Sequence, residues 1–382
     1  MRPPAHIIAK LAYVVVMLAV AGAGTLNGAL RLTPDAKLFG VEVGAERPPL
    51  AWRAWRDETF QRAFLAWYEQ RWGLRGYAVR SDNSLVMALF GQPRSAESVV
   101  VGERGVLFSR EDVELVNRSD PPDAARAIAH KLASVRARLR ARGVVLVPVV
   151  IPAKTSLHRD AVPLAWRRRG VFGASDENIY GAFVATLRAE GAPFVDARAM
   201  LEKRPGAFPR TGRHWTAAAG CLTLDAVFAL ARAEMPELGD EHLDCATTTL
   251  QDPSIDEEPF DLFRLLNTWD RKPADVTVAR LSGLRAGATL RVPTLFVGSS
   301  FLWQFVHVAR ALDVAKPSLF YYYDKSVLDT EALTFTKKVE PFTDAWRDDT
   351  FSKRLFVLGI LETFIPEDGR VFLEELDREL SR

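Results

Sequence analysis

The sequence predicts an α/β protein, a three-layer, doubly wound and mostly parallel sheet preceded by an N-terminal apolar helix. Three observations carry this. Residues 144–151 are a continuous apolar run rich in valine, the mark of a strand buried on both faces. Segments of helical periodicity alternate with such runs. In residues 123–142, for example, Ile128, Leu132, Val135 and Leu139 recur on one face. Finally, residues 11–30 hold no charge and, at about 1.5 Å per residue, are long enough to cross a bilayer core.

The apolar run follows Arg2, His6 and Lys10, as a cytoplasmic flank would. Two readings are open. The run is an uncleaved signal anchor, or a signal peptide cut at Ala19-Val20-Ala21 or Ala21-Gly22-Ala23. Both place the rest of the chain outside the cytoplasm, and no later segment is long and apolar enough to span. Residues 1–32 are thus an anchor or signal, 33–100 a helical membrane-proximal segment and 101–382 the α/β domain. Within 51–72, Trp52, Trp55, Phe64 and Trp67 stand at helical spacing and predict an amphipathic helix that lies near the membrane or packs on the body, with core packing favoured over lipid contact.

The helix at 123–142 ends at Gly143. The strand at 144–151 contains Pro148, which predicts an edge or irregular strand. A helix at 176–190, a short strand at 193–197 and a helix at 216–233 follow. Strands at 294–298, 319–323 and 355–361, with helices at 301–312 and 371–380, complete the alternation. Residues 236–275 read as an irregular, acidic excursion. Such alternation implies parallel strands with helices on both faces.

The chain has 382 residues, 48% apolar and 26% charged, as in a folded protein, and its net charge of +2 gives no field suited to nucleic acid. Cys221 and Cys245 show no zinc-ligand spacing. They are either a disulfide of an oxidising compartment or two unpaired core cysteines. No metal or organic cofactor is indicated.

In a parallel sheet the ligand site lies beyond the carboxyl ends of the strands. The residues there are Lys154, Asp196, Ser299 with Ser300, and Glu362. Ser300 stands in Gly298-Ser299-Ser300-Phe301, where a strand turns into a helix and a serine is exposed at the sheet edge. By itself such a serine also reads as a helix N-cap. A serine nucleophile needs a base. Of six histidines, His214, in Arg213-His214-Trp215-Thr216 just before a helix, has the most suitable setting. Lys154 is a candidate to bind substrate or pair with Glu362. Trp215 is a candidate to bind substrate, or else a core aromatic anchoring the histidine loop.

The order of short blocks resembles the AlgJ/AlgX-like alginate O-acetyltransferases, whose domain is SGNH-hydrolase-like. The blocks are Arg75 through Phe90-Gly91; Gly102-Glu103-Arg104-Gly105-Val106-Leu107-Phe108; Pro152-Ala153-Lys154; Gly212-Arg213-His214-Trp215-Thr216; Gly298-Ser299-Ser300-Phe301; and a strand ending at Glu362. The resemblance implies an SGNH-like fold and O-acetyl transfer to an exported polysaccharide outside the inner membrane. It implies Ser300 as nucleophile and His214 as base. It also implies a multi-spanning membrane acyltransferase as supplier of acetyl groups. One position departs from the pattern. The family's aspartate two residues before the histidine is Gly212 here. Three solutions are open: a Ser–His dyad with a backbone carbonyl as orienter, a carboxylate from Asp196 or Glu362, or a degenerate domain that only binds polysaccharide. An esterase on the same fold is a further rival, since Ser300 and His214 serve transfer and hydrolysis alike.

Overall fold

A strand whose two faces are both apolar has to lie between two layers of helices. The computed structural model, which describes residues 5–41, 44–94, 98–118, 121–167, 178–250, 254, 258–271, 278–281 and 290–382, puts these strands there. The chain forms two units, one of Met1–Val99 with Phe263–Arg271, the other of Val100–Leu262 with Lys272–Arg382.

The first unit holds α1 (Ala5–Leu30), α2 (Trp52–Arg56), α3 (Thr59–Arg71) and α4 (Arg75–Phe90). Helix α1 is long and apolar enough to cross a membrane. Its C-terminal turns pack on the α3–α4 junction. There Gly73 N donates to Gly24 O, and Asn27 Nδ2 donates to Gly73 O at 2.7 Å. The helix expected over 51–72 is two helices broken at Glu58, whose φ is +64°. Helices α2 and α3 bury no residue, and Trp52 and Trp55 are 79% and 48% exposed.

The second unit opens with β1 (Val99–Val101, whose first residue counts with the first unit), β2 (Leu107–Ser109), α5 (Arg110–Val116), α6 (Pro122–Ala141), β3 (Val145–Ile151), α7 (Lys154–Leu157) and α8 (Leu164–Arg167). It continues with α9 (Ile179–Ala189), β4 (Val195–Asp196), α10 (Ala197–Leu201), α11 (Ala217–Ala231), β5 (Thr247–Leu250), α12 (Asp261–Leu265, whose last three residues count with the first unit) and β6 (Val278–Leu281). It ends with β7 (Thr294–Gly298), α13 (Trp303–Leu312), β8 (Ser318–Tyr322), β9 (Ser326–Asp329), β10 (Thr334–Lys338), α14 (Asp344–Phe351), β11 (Leu355–Leu361) and α15 (Arg370–Leu380). Residues 176 and 177, in the expected helix at 176–190, lie outside the described residues, as does part of the 236–275 excursion.

Seven strands form the main sheet in the order β10-β9-β8-β7-β11-β3-β4. The five from β8 to β4 are parallel, and β9 and β10 add antiparallel at one edge. In β3 the odd positions Val145, Val147, Val149 and Ile151 enter the core shared with α11 and α13. Leu146 and Val150 enter the opposite core, under α6, α9 and α15. This period of two, with helices on both sides, explains the unbroken apolar run.

Pro148 does not make β3 an edge, since β3 lies between β11 and β4. Val145 N donates to Arg354 O, so the odd residues turn their amides toward β11. Pro148 faces the other side, where two-residue β4 begins pairing only at Val149. The missing N–H therefore costs no ladder bond.

Candidate active site

Strand β7 ends at Gly298, with φ +151°. A Cβ there would meet Gly359 O at 2.8 Å, so only glycine lets the chain leave the sheet this close to β11. A 3₁₀ turn, Ser300–Leu302, then leads into α13 and sets Ser300 at the carboxyl edge of the sheet.

His214 is placed by its neighbours. Thr216 caps α11, its hydroxyl accepting from Ala219 N. Trp215 is fully buried and donates from Nε1 to Phe301 O at 2.9 Å. With Trp215 pinned under the serine turn, His214 meets Ser300, Nε2 lying 2.8 Å from Oγ. On the other side of the ring, Nδ1 lies 2.8 Å from Asp261 Oδ2. The second oxygen of Asp261 accepts from Arg213 N at 2.8 Å. Asp261 opens α12, and Thr211 Oγ1 donates to Pro259 O at 2.6 Å, tying the two loops together. Serine, imidazole and carboxylate thus form one hydrogen-bonded line. This geometry holds an imidazole in one tautomer, with Nε2 turned to accept a hydroxyl proton.

Asp196 and Glu362 do not reach His214, which corrects the solution, one of the three open, in which one of them is the orienting acid. Asp196 caps α10, accepting from Ala199 N and from Tyr180 Oη. It ends β4, three strands from β7, about 14 Å at the usual strand spacing. Glu362 is 5% exposed and accepts from Arg198 Nη1 and Ala153 N, both at 2.6 Å. Ending a strand of the same sheet puts a residue on the same edge, not in the same site.

Lys154 neither pairs with Glu362 nor faces solvent. It is 2% exposed and donates to Leu107 O, Arg210 O and Gly212 O at 2.7–2.9 Å. Burial pulls its ammonium down to about 7. It holds the loop that carries His214. Trp215, lacking any exposed face, cannot stack on a sugar. Arg213 clamps the same loop, with Nε and Nη2 on the two oxygens of Asp112. Burial opposes its charge, but Asp112 and Glu111 outweigh this and raise its pKa.

The cavity over Ser300 measures about 170 Å³. Phe301, Leu361 and Phe364 form its apolar wall, and Glu111, Arg213, Tyr323 and Asp368 its polar one. Sequence reasoning missed Asp261. It lies in the acidic stretch 252–261, where five of ten residues are carboxylic acids, and no spacing from His214 marks it.

An α/β fold of this topology, with a serine, a histidine and a carboxylate in one hydrogen-bonded line at the sheet edge, is of the SGNH hydrolase-like class. Residues 99–301 match the SGNH hydrolase-like domain of the acetyltransferase AlgX, and the chain belongs to that family. The matched stretch contains Lys154, Gly212, His214, Asp261 and Ser300. A relative from Pseudomonas aeruginosa, called a probable alginate O-acetylase AlgJ, is 31% identical over 183 residues. That match covers 46% of this chain and 42% of the relative, less than half of that protein's length. Among solved structures, the O-acetyltransferase domain of Pseudomonas putida AlgJ aligns with a TM-score of 0.44 at 20% identity, over 74% of this chain and 99% of that one. Pseudomonas aeruginosa AlgX aligns at 0.45 and 13%, over 73% and 67%.

Proposed function

We propose that this protein is an O-acetyltransferase that modifies an exported polysaccharide through an acetyl-serine at Ser300. The observation that carries the reading is the line Ser300–His214–Asp261, in a domain of the AlgX family. His214 takes the Ser300 proton as Oγ attacks the acetyl donor. The acyl-enzyme then passes its acetyl group to a polysaccharide hydroxyl, with His214 as base again. Asp261 supplies what the family's aspartate supplies, from another segment. The position of Asp261 beside His214 favours this reading over a degenerate, binding-only domain.

In this reading α1 anchors the chain in the inner membrane, with the second unit in the periplasm. A disulfide between Cys221 and Cys245, whose Cα atoms are 5.6 Å apart, fits an oxidising compartment. The acceptor is proposed as alginate or a similar polymer, after the relative's name, and the acetyl supplier as a multi-spanning membrane acyltransferase. Ser300→Ala and His214→Ala should each abolish polymer O-acetylation in cells at normal protein level. A C-terminal alkaline phosphatase fusion should be active. Unchanged acetylation with Ser300→Ala would refute the reading.

A further inference from the structure

Tyr323 is held in a backbone conformation that its side chain disfavours. It follows β8 in the tight turn to β9, with φ +52°, and Asp324 follows with φ +54°. Lys325 N closes the turn on Tyr322 O at 3.1 Å. Two successive residues of positive φ make the turn that asparagine and glycine favour, and a bulky aromatic there is an outlier. Strain of this kind persists where the surroundings enforce it, and it gathers at functional sites. Here the enforcement is visible. Tyr323 N donates to Gly298 O at 2.9 Å, which fastens the turn to the strand that delivers the nucleophile. The phenol then reaches across and donates to Ser300 Oγ at 3.3 Å. The side chain is 48% exposed and lines the cavity over Ser300, so burial of the ring does not explain its place.

We infer that Tyr323 is a further catalytic residue, the side-chain donor to the oxyanion formed when Ser300 attacks the acetyl carbonyl. The inference rests on Ser300 being the nucleophile. In that step the Oγ–C bond forms, the carbonyl π pair moves onto oxygen, and the Ser300 proton goes to His214 Nε2. Tyr323 keeps its proton and shifts its hydrogen bond from Oγ to the new anion. That anion is attached to the carbon bonded to Oγ. A phenol already 3.3 Å from Oγ reaches the roughly 2.7–3.1 Å expected of an oxyanion donor by a small side-chain torsion. The donor's leaving oxygen then departs with the proton from Nε2, and the same contacts serve when the acceptor hydroxyl attacks the acyl-enzyme.

The test uses the full chain in detergent, p-nitrophenyl acetate as acetyl donor and pre-steady-state kinetics. Removing one oxyanion donor costs about 10²–10³-fold in buried sites, and a half-exposed phenol should be worth less. Tyr323→Phe should lower the acylation rate about 10–100-fold, with KM within threefold and an unchanged melting temperature. Tyr323→Asn should lose as much rate while melting no lower than the wild type, because asparagine suits the turn. A merely structural tyrosine would give the opposite pattern, with lower melting and kcat retained in the folded fraction. Wild-type acylation by Tyr323→Phe, or a loss confined to KM, overturns the inference. Ser300→Ala separates the two claims, since its full activity would sink the acyl-serine reading, whereas a dead Ser300→Ala beside a fully active Tyr323→Phe sinks only the role of Tyr323.

Discussion

Asp261→Asn is the sharpest test of the hydrogen-bonded line. The amide keeps the size of the carboxylate, and its oxygen can still accept from Arg213 N, so the loop keeps its shape. Its NH₂ then faces His214 Nδ1, which at present lies 2.8 Å from a carboxylate oxygen. A ring nitrogen facing a donor must accept, so the imidazole proton moves to Nε2, the atom 2.8 Å from Ser300 Oγ. The serine then faces an N–H in place of a base. The same change in a serine protease triad costs about 10⁴-fold. The side chains of His214 and Asp261 are 20% and 16% exposed. Water therefore competes for Nδ1 and restores some of the working tautomer. The loss should be about 10²–10⁴-fold in kcat, or roughly 3–5 kcal/mol of barrier. Acetyl release from p-nitrophenyl acetate, read beside a thermal melt, measures it. A variant that keeps more than a third of wild-type kcat at normal melting temperature would show that Asp261 does not orient His214.

Gly212→Asp should bring no gain, because Asp261 already holds Nδ1; a faster enzyme in the same assay would show that the site lacks its acid. Glu362→Gln should destabilise the fold by about 3–5 kcal/mol, since it strands the buried guanidinium of Arg198, yet leave kcat of the folded enzyme within a few-fold; urea unfolding and the ester assay read the two effects separately. Burial raises the Asp368 carboxyl to about 7, helped by Asp324 and Glu367 and opposed by the Leu361 N–H it accepts. The native state thus holds a proton that the unfolded chain gives up near pH 4, and stability present below that pH is lost as pH rises through about 7. Asp368→Asn should therefore gain stability over wild type between about pH 4 and 7 and hold a constant lead above, with a ceiling near 4 kcal/mol at about 1.4 kcal/mol per pH unit; a denaturation midpoint below wild type at pH 8.5 would contradict this. Reducing the Cys221–Cys245 bridge, which joins residues 24 apart, should cost about 3 kcal/mol through the freed unfolded chain, seen as a lower urea midpoint with reductant.

The sequence alone determined whatever depends on local pattern. Two-sided apolar runs have to be covered strands, and such strands joined by helices have to lie parallel, which put β3, β7 and β11 in one sheet. A glycine-led serine at a strand end and a histidine just before a capped helix were legible for the same reason, since each setting is built within a few residues. Only the tertiary structure decided what those residues touch. Asp261 lies 47 positions after His214, in a stretch with no periodic pattern, and the crossing of two loops brings it to Nδ1. Asp196 and Glu362 had the expected address at strand ends, but nearer partners had claimed them, Tyr180 with a helix N–H for one and Arg198 with Ala153 N for the other. Lys154 likewise was legible as a residue at the sheet edge, but nothing in its spacing said that three carbonyl groups would surround it. A hydrogen bond is decided at about 3 Å, and distance along the chain does not constrain distance in space once the chain has turned back on itself.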